Sequence, residues 1–203
     1  MARAGLQAAV TIETLRPVFA PPEFAFANIS VSANPAPSPD PLAAPFSNQE
    51  LRAALGMFAT GVTIVTTLDE DGRAVGLTAN SFTSVSLDPP LVLWSLSGRS
   101  LSMPAFNEAT HFAINVLAAE QRQLAERFAS KAEDRFDGVA WRTGTGGVPV
   151  IEGAAAVFEC RTRNRYREGD HVIFLGEVRH CTRHTGIAPL LFWGGRFFTD
   201  LPF

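Results

Sequence analysis

Apolar residues recur at every second position in a series of short segments, and turn residues separate them. "VTIVTTL" (62–68) is rich in β-branched residues, "DEDG" (69–72) is a turn, and "AVGLTANSF" (74–82) reads as the returning strand of a hairpin. "SVSLDPPLVLWSL" (84–96) reads as two strand pieces broken by Asp88-Pro89-Pro90. "HFAINVL" (111–117) alternates. Two long strands, 154–168 and 171–184, are joined by Gly169-Asp170, and "PLLFWGGRFFTDL" (189–201) closes the chain.

Helical spacing appears only twice. Ser47 and Glu50 have the spacing of a capping box, followed by Leu51, Leu55 and Phe58, and Gly61 is the expected end of that helix. Residues 118–134 form the second, with Leu124 and Phe128 on one face. The polar, Gly-rich stretch 137–147 reads as a connection. Strands joined by hairpins, with few and peripheral helices, predict a mainly β fold, an antiparallel β-barrel rather than a doubly wound sheet.

The N-terminal 46 residues break this pattern. They hold eight of the 14 prolines, with "NPAPSPDPLAAP" spanning 34–45, and read as a flexible Pro/Ala-rich tail. Within them, "FAFANISVSA" (24–33) alternates as a short edge strand would. The expected domain is 47–203. Over the whole chain, 46% of residues are hydrophobic and 18% charged, enough apolar content for a real core.

Charge narrows the function classes. With 17 basic and 20 acidic residues the net charge is −3, which supplies no field for nucleic acid or an anionic membrane. No apolar run is long enough for a spanning helix. Cys160 and Cys181 form no CxxC pair and are read as reduced thiols of a cytoplasmic protein, without a metal site. His180 and His184, four apart on a strand, lie too far from each other to share an ion. G-x-G-x-x-G, G-x-x-x-x-G-K-[ST] and G-x-S-x-G are all absent.

What stands out is a density of small polar groups within apolar strands. "TANSFTSVS" carries Thr78, Asn80, Ser81, Thr83, Ser84 and Ser86; "WSLSGRS" adds Ser95, Ser97, Arg99 and Ser100. Buried polar groups need partners, and a ligand rich in heteroatoms is one such partner. Alternation on a half-exposed strand accounts for the same pattern without a ligand. Chemically, Arg99 with its flanking serines suits a phosphate, and Thr78 to Ser81 suit the edge of a planar ring.

"ALGMFATGVTIVTT", "GLTANSFTSVSLDPPLVLWSLS", "HFAINVLAAEQRQLAERFA", "DRF", "GDHVIFLGEV" and "PLLFWGGRFF", in this order, resemble the flavin reductase-like family, whose members supply two-component monooxygenases. The resemblance covers roughly residues 47–201. It implies a split β-barrel of the FMN-binding type with Greek-key connections, a homodimer, FMN or FAD as flavin, and NADH or NADPH as hydride donor. It places Thr78, Ala79, Asn80, Ser81 and Ser84 along the ring and ribityl chain, and Ser95, Ser97, Arg99 and Ser100 at the phosphate. Phe112, Asn115 and Val116 are implied to face the ring, with Arg135 and Phe136 nearby. His171, oriented by Asp170, is the implied catalytic residue, positioning the nicotinamide or polarising the flavin. Many relatives carry histidine where this chain has Trp193, and tyrosine near Phe197.

The expected function is reduction of free flavin and its delivery to a partner monooxygenase. Two alternatives share the fold: a tightly held flavin that reduces another acceptor, such as a corrin or ferric chelate, and a non-catalytic flavin- or haem-binding barrel.

Overall fold

Seven strands build the main sheet of the computed structural model, which describes residues 46–132 and 134–199. The expected tail, including the alternating piece 24–33, lies outside the described residues. The strands are β2 (Thr63–Leu68), β3 (Ala74–Ala79), β4 (Thr83–Leu87), β5 (Pro90–Ser97), β6 (His111–Val116), β9 (Ala156–Glu168) and β10 (His171–Arg183). Their spatial order is β3-β2-β6-β9-β10-β5-β4, and every neighbouring pair is antiparallel. β3 and β4 follow each other in sequence yet occupy opposite edges. The sheet therefore curls until its ends approach, and the Ser81 hydroxyl bridges them: it donates to the Ser95 carbonyl (3.1 Å) and accepts from the Ser95 amide (3.0 Å). The barrel is split along this seam.

Alternation decides which side chains fill it. On β5, Val92, Trp94 and Leu96 are buried while Leu91, Leu93, Ser95 and Ser97 face the other side. On β10, Val172, Phe174 and Gly176 point inward. Trp94 stacks on Phe174 at 4.7 Å and meets Phe106 and Phe112 edge-on. Gly176 leaves room for this packing: a Cβ there would stand 2.4 Å from Phe112 Cζ.

Among the described residues, three α-helices flank the barrel. The capping box forms as expected, with Ser47 and Glu50 satisfying each other's backbone, but α1 (Asn48–Leu55) stops at Gly56, short of Gly61. α2 (Met103–Glu108) begins with Pro104 in its first turn. α3 (Arg122–Ala129), preceded by a 3-10 turn at Ala119–Gln121, ends five residues before the expected Asp134. A small sheet joins β1 (Thr60–Gly61), β11 (Leu191–Trp193) and β12 (Arg196–Phe198).

The stretch 137–147 is more than a connection. It carries β7 (Trp141–Thr143), which pairs with β8 (Pro149–Ile151), and the hairpin covers β6. Its anchor is Glu159 on β9, only 3% exposed, which accepts from the Thr145 amide (2.7 Å), the Thr145 hydroxyl (2.6 Å) and Arg142 (3.1 Å). Burial pushes the Glu159 pKa up, but the Thr145 and Arg142 hydrogen bonds outweigh it and hold the carboxyl below its ordinary 4.5. A carboxylate with a depressed folded pKa adds stability above its unfolded value and loses it as pH falls through the folded one. Glu159→Gln should therefore cost about 1.5–3 kcal/mol at neutral pH. That difference should shrink below about pH 4. Denaturant unfolding across pH checks both; a pH-independent difference would contradict an ionised anchor.

Candidate active site

The split in the barrel leaves β3 with a free edge, and the site is built on it. β2 turns its odd-numbered backbone groups toward β3, because the Val62 carbonyl bonds Leu117 on the β6 side. Their partners on β3 are Val75, Leu77 and Ala79. Gly76 and Thr78 therefore present N–H and C=O outward, and the Gly76 carbonyl indeed accepts from Arg135 (2.9 Å). Further along the edge, the Thr78 backbone faces a cleft of about 340 Å³.

This cleft gathers Thr78, Ala79, Asn80 and Ser81 from one wall and Ser95, Ser97, Ser100 and His171 from the other, with Leu77 and Leu96 beneath. Eight of the residues implied from sequence thus meet across the seam. Their polar groups divide by role. The Ser81 hydroxyl is the clasp to β5. The Thr78 hydroxyl donates to the Ala125 carbonyl of α3 (2.7 Å), so Thr78 offers the cleft its backbone rather than its side chain. Ser97 Oγ accepts from the Arg99 amide and Ser100 Oγ from the Ser102 amide, leaving both hydroxyl protons to donate. The exposed Asn80 amide and the half-buried Ser95 hydroxyl make no hydrogen bond among the described residues.

Chain geometry brings His171 to the rim. β9 and β10 are joined by two residues, and Gly169 sits at φ +57° in the first central position, the type II′ pattern. His171 then opens β10 opposite Ser97. The Asp170 carbonyl accepts from the Gly98 amide (2.9 Å), which ties this turn to the loop after β5. The Asp170 carboxylate lies 2.6 Å from His171 Nδ1. That hydrogen bond first, then the charges of His171 and Arg99, hold the Asp170 carboxyl below its ordinary value. With Nδ1–H donated to Asp170, Nε2 is the ring nitrogen left for a ligand, on a side chain 46% exposed.

Several implied site residues lie elsewhere. Phe112 is buried in the core against Trp94. Asn115 is fully buried, donating to the Ile64 carbonyl (3.0 Å) and Thr66 Oγ1 (3.3 Å) and accepting from the Ile151 amide (2.9 Å). Val116 ends β6 between Thr63 and Ala156. None of the three lines the cleft, because β6 sits mid-sheet with the β7–β8 hairpin over its outer side. Ser84 is exposed on β4, and Arg99 is exposed outside the cleft, with Asp170 as its charged neighbour. Trp193 and Phe197 belong to the small sheet and are likewise outside.

Arg135 and Phe136 line a second cleft of about 850 Å³. Sequence reasoning missed most of that cleft's walls, including Ser102, Ala105 and Lys131. The one available signal was Ser102-Met103-Pro104, a helix start with proline in the first turn.

The donor set suits a planar heteroaromatic ligand: outward backbone groups, an uncommitted amide, several hydroxyls and a rim imidazole, with room over an exposed face. Comparison with known proteins agrees. The chain is 50% identical over 151 residues to the FMN reductase (NADH) SmoA of Agrobacterium fabrum, covering 74% of this chain and 85% of that one. It is 45% identical over 151 residues to the reductase component of the flavin-dependent trigonelline monooxygenase of Acinetobacter baylyi, covering 74% of this chain and spanning about half (48%) of that relative. The NADH:FAD oxidoreductase of Streptomyces globisporus, solved with NAD and FAD fragments, superposes with a TM-score of 0.73 at 43% identity, covering 79% of this chain and 97% of that one. With residues 55–199 matching the model of the flavin reductase-like domain, the chain belongs to the flavin reductase-like family.

Proposed function

We propose that the protein is an NAD(P)H:flavin oxidoreductase that reduces FMN or FAD and passes the reduced flavin to a separate flavin-dependent monooxygenase. The observation that carries this reading is the cleft at the free edge of β3, with uncommitted polar groups along its walls and a half-exposed histidine at its rim. A flavin bound there supplies an acceptor for hydride from a nicotinamide. Such a transfer needs no protein nucleophile, so the chain contributes alignment. The Thr78 backbone, Asn80 and Ser95 hold the polar edge of the ring, and Ser97 and Ser100 donate to the more distal groups. His171, fixed by Asp170, orients the carboxamide of the incoming nicotinamide. The openness of the cleft favours a flavin that exchanges over one held permanently.

A homodimer belongs to the same proposal. Leu91 and Leu93 on β5 and Ile173 and Leu175 on β10 share the outward face with Ser95, Ser97 and His171. They form an incompletely covered apolar strip beside the cleft. A second copy seated there would bury this strip. We place the protein in the cytoplasm: both cysteines are free, so neither requires an oxidising compartment. Among the described residues, no helix is long and apolar enough to cross a membrane.

The test is oxidation of NADH and of NADPH by the purified protein, with and without added FMN, FAD or riboflavin, in air and anaerobically. Multiple turnovers that depend on added flavin are expected. Failure with both nicotinamides and every flavin would leave a binding barrel in place of an enzyme.

A further inference from the structure

Thr78 is not alone in facing outward from the free edge of β3. Gly76, two residues back, presents its own N–H and C=O in the same direction, about 6.8 Å along the strand. One edge of a flavin ring system is an imide, a carbonyl, an N–H and a second carbonyl in a row. That array can pair with the backbone of either residue. The bare edge thus offers two registers, two residues apart. The register at Thr78 puts the ring beside Ser95, Ser97 and His171, whereas Gly76 lies outside that cleft.

Arg135 closes the second register. Its Nη1 donates to the Gly76 carbonyl (2.9 Å), while its Nε and Nη2 both donate to the Ser130 carbonyl (3.1 and 2.7 Å). A planar fork held from two sides keeps one orientation. The next residue delivers it there. Phe136 meets Phe128 of α3 edge-on at 5.0 Å, and both rings press on Gly76: a Cβ there would stand 2.8 Å from Phe128 Cε1 and 3.3 Å from Phe136 Cε2. Glycine at 76 therefore lets the aromatic pair, and Arg135 with it, come up against the strand. Nη1 also stands 3.5 Å from Ser102 Oγ, and the Ser102 amide donates to Ser100 Oγ (3.2 Å) on the other wall of the smaller cleft. Arg135 is thus braced against the β3 edge and, through Ser102, against the wall that carries Ser100.

Resting on the flavin-reductase reading, we propose that Arg135 is a positioning residue: by occupying the Gly76 carbonyl it confines the flavin ring to the Thr78 register. It acts through the strand edge and not by touching the reacting atoms. Hydride transfer needs those atoms about 3–3.5 Å apart, and a slip of about 6.8 Å along the edge forfeits it. With the Gly76 register closed, every bound ring lies where His171 can align the nicotinamide.

Arg135→Met keeps a long side chain but donates nothing, so it frees the Gly76 carbonyl. Two registers of equal affinity would hold half of the bound flavin out of range. kcat and the flavin KM should then fall together by about twofold, leaving kcat/KM unchanged, which is the mark of unproductive binding. Arg135→Lys still donates to Gly76 and should restore both constants. The native protein gives a readout that needs no variant to fold: amide hydrogen exchange, followed by NMR, should slow at Thr78 when FMN is added and stay as it was at Gly76. Protection of Gly76 by FMN, a fall in kcat/KM at unchanged KM, or native constants in Arg135→Met would overturn the confinement. Protection of Thr78 without Gly76 in a protein that reduces no flavin would keep the register and reject the reductase reading.

Discussion

His171→Ala should lower turnover about 10–100-fold while the flavin dissociation constant moves by less than about threefold. The asymmetry follows from where the ring stands. His171 sits at the rim opposite Ser97, whereas the groups that can grip a flavin lie along the walls: the Thr78 backbone, Asn80 and Ser95. Losing the imidazole removes a group that aligns the second ring, so the productive geometry becomes rarer while the flavin keeps its contacts. Asp170→Asn should produce a smaller loss, since an amide oxygen can still accept from Nδ1 but without charge. The Asp170 carboxyl is held below its ordinary value, so the pair persists as pH falls through the mildly acidic range. Steady-state turnover at saturating NADH, set beside equilibrium flavin binding, separates the two effects. Loss of flavin affinity at unchanged turnover would assign His171 to the flavin instead.

The strands that line the seam were legible because each has one open face. On β5 and β10 the period of two separates Trp94 and Phe174 from Ser95, Ser97 and His171, and the sequence already alternates there. Gly169-Asp170 announced its own turn. What alternation cannot convey is which edges remain unpaired. The exposure of the β3 edge depends on β4 crossing to the far side of the sheet, a long-range choice, and the Ser81–Ser95 clasp is its product. The helix end at Gly56 and the β7–β8 hairpin were missed for a related reason. Gly61 and the glycines of 137–147 look like breakers locally, but tertiary pairing with β11 and the anchor at Glu159 decide their conformation.

Asn115, which the resemblance implies to face the ring, carries the second large effect. "HFAINV" alternates as β5 does, yet both of its faces are covered, one by the barrel core and the other by β8. The side chain on the outer face is therefore a buried connector. Its amide joins β2 through Ile64 and Thr66 to the Ile151 amide of β8. Asn115→Leu keeps the volume close but leaves the buried Ile151 N–H with no acceptor, and a lost buried partner costs about 1–3 kcal/mol for each stranded group. With the Ile64 carbonyl losing a donor as well, a total of about 2–4 kcal/mol is expected. That is a large fraction of a typical domain's margin of about 5–15 kcal/mol. Flavin affinity of the folded fraction should be unchanged, because no atom of Asn115 reaches the seam. Denaturant unfolding combined with flavin titration measures both quantities on one sample. A variant of native stability with impaired flavin binding would return Asn115 to the ring-facing role implied by the resemblance, and would require β8 to move away from β6 when flavin binds.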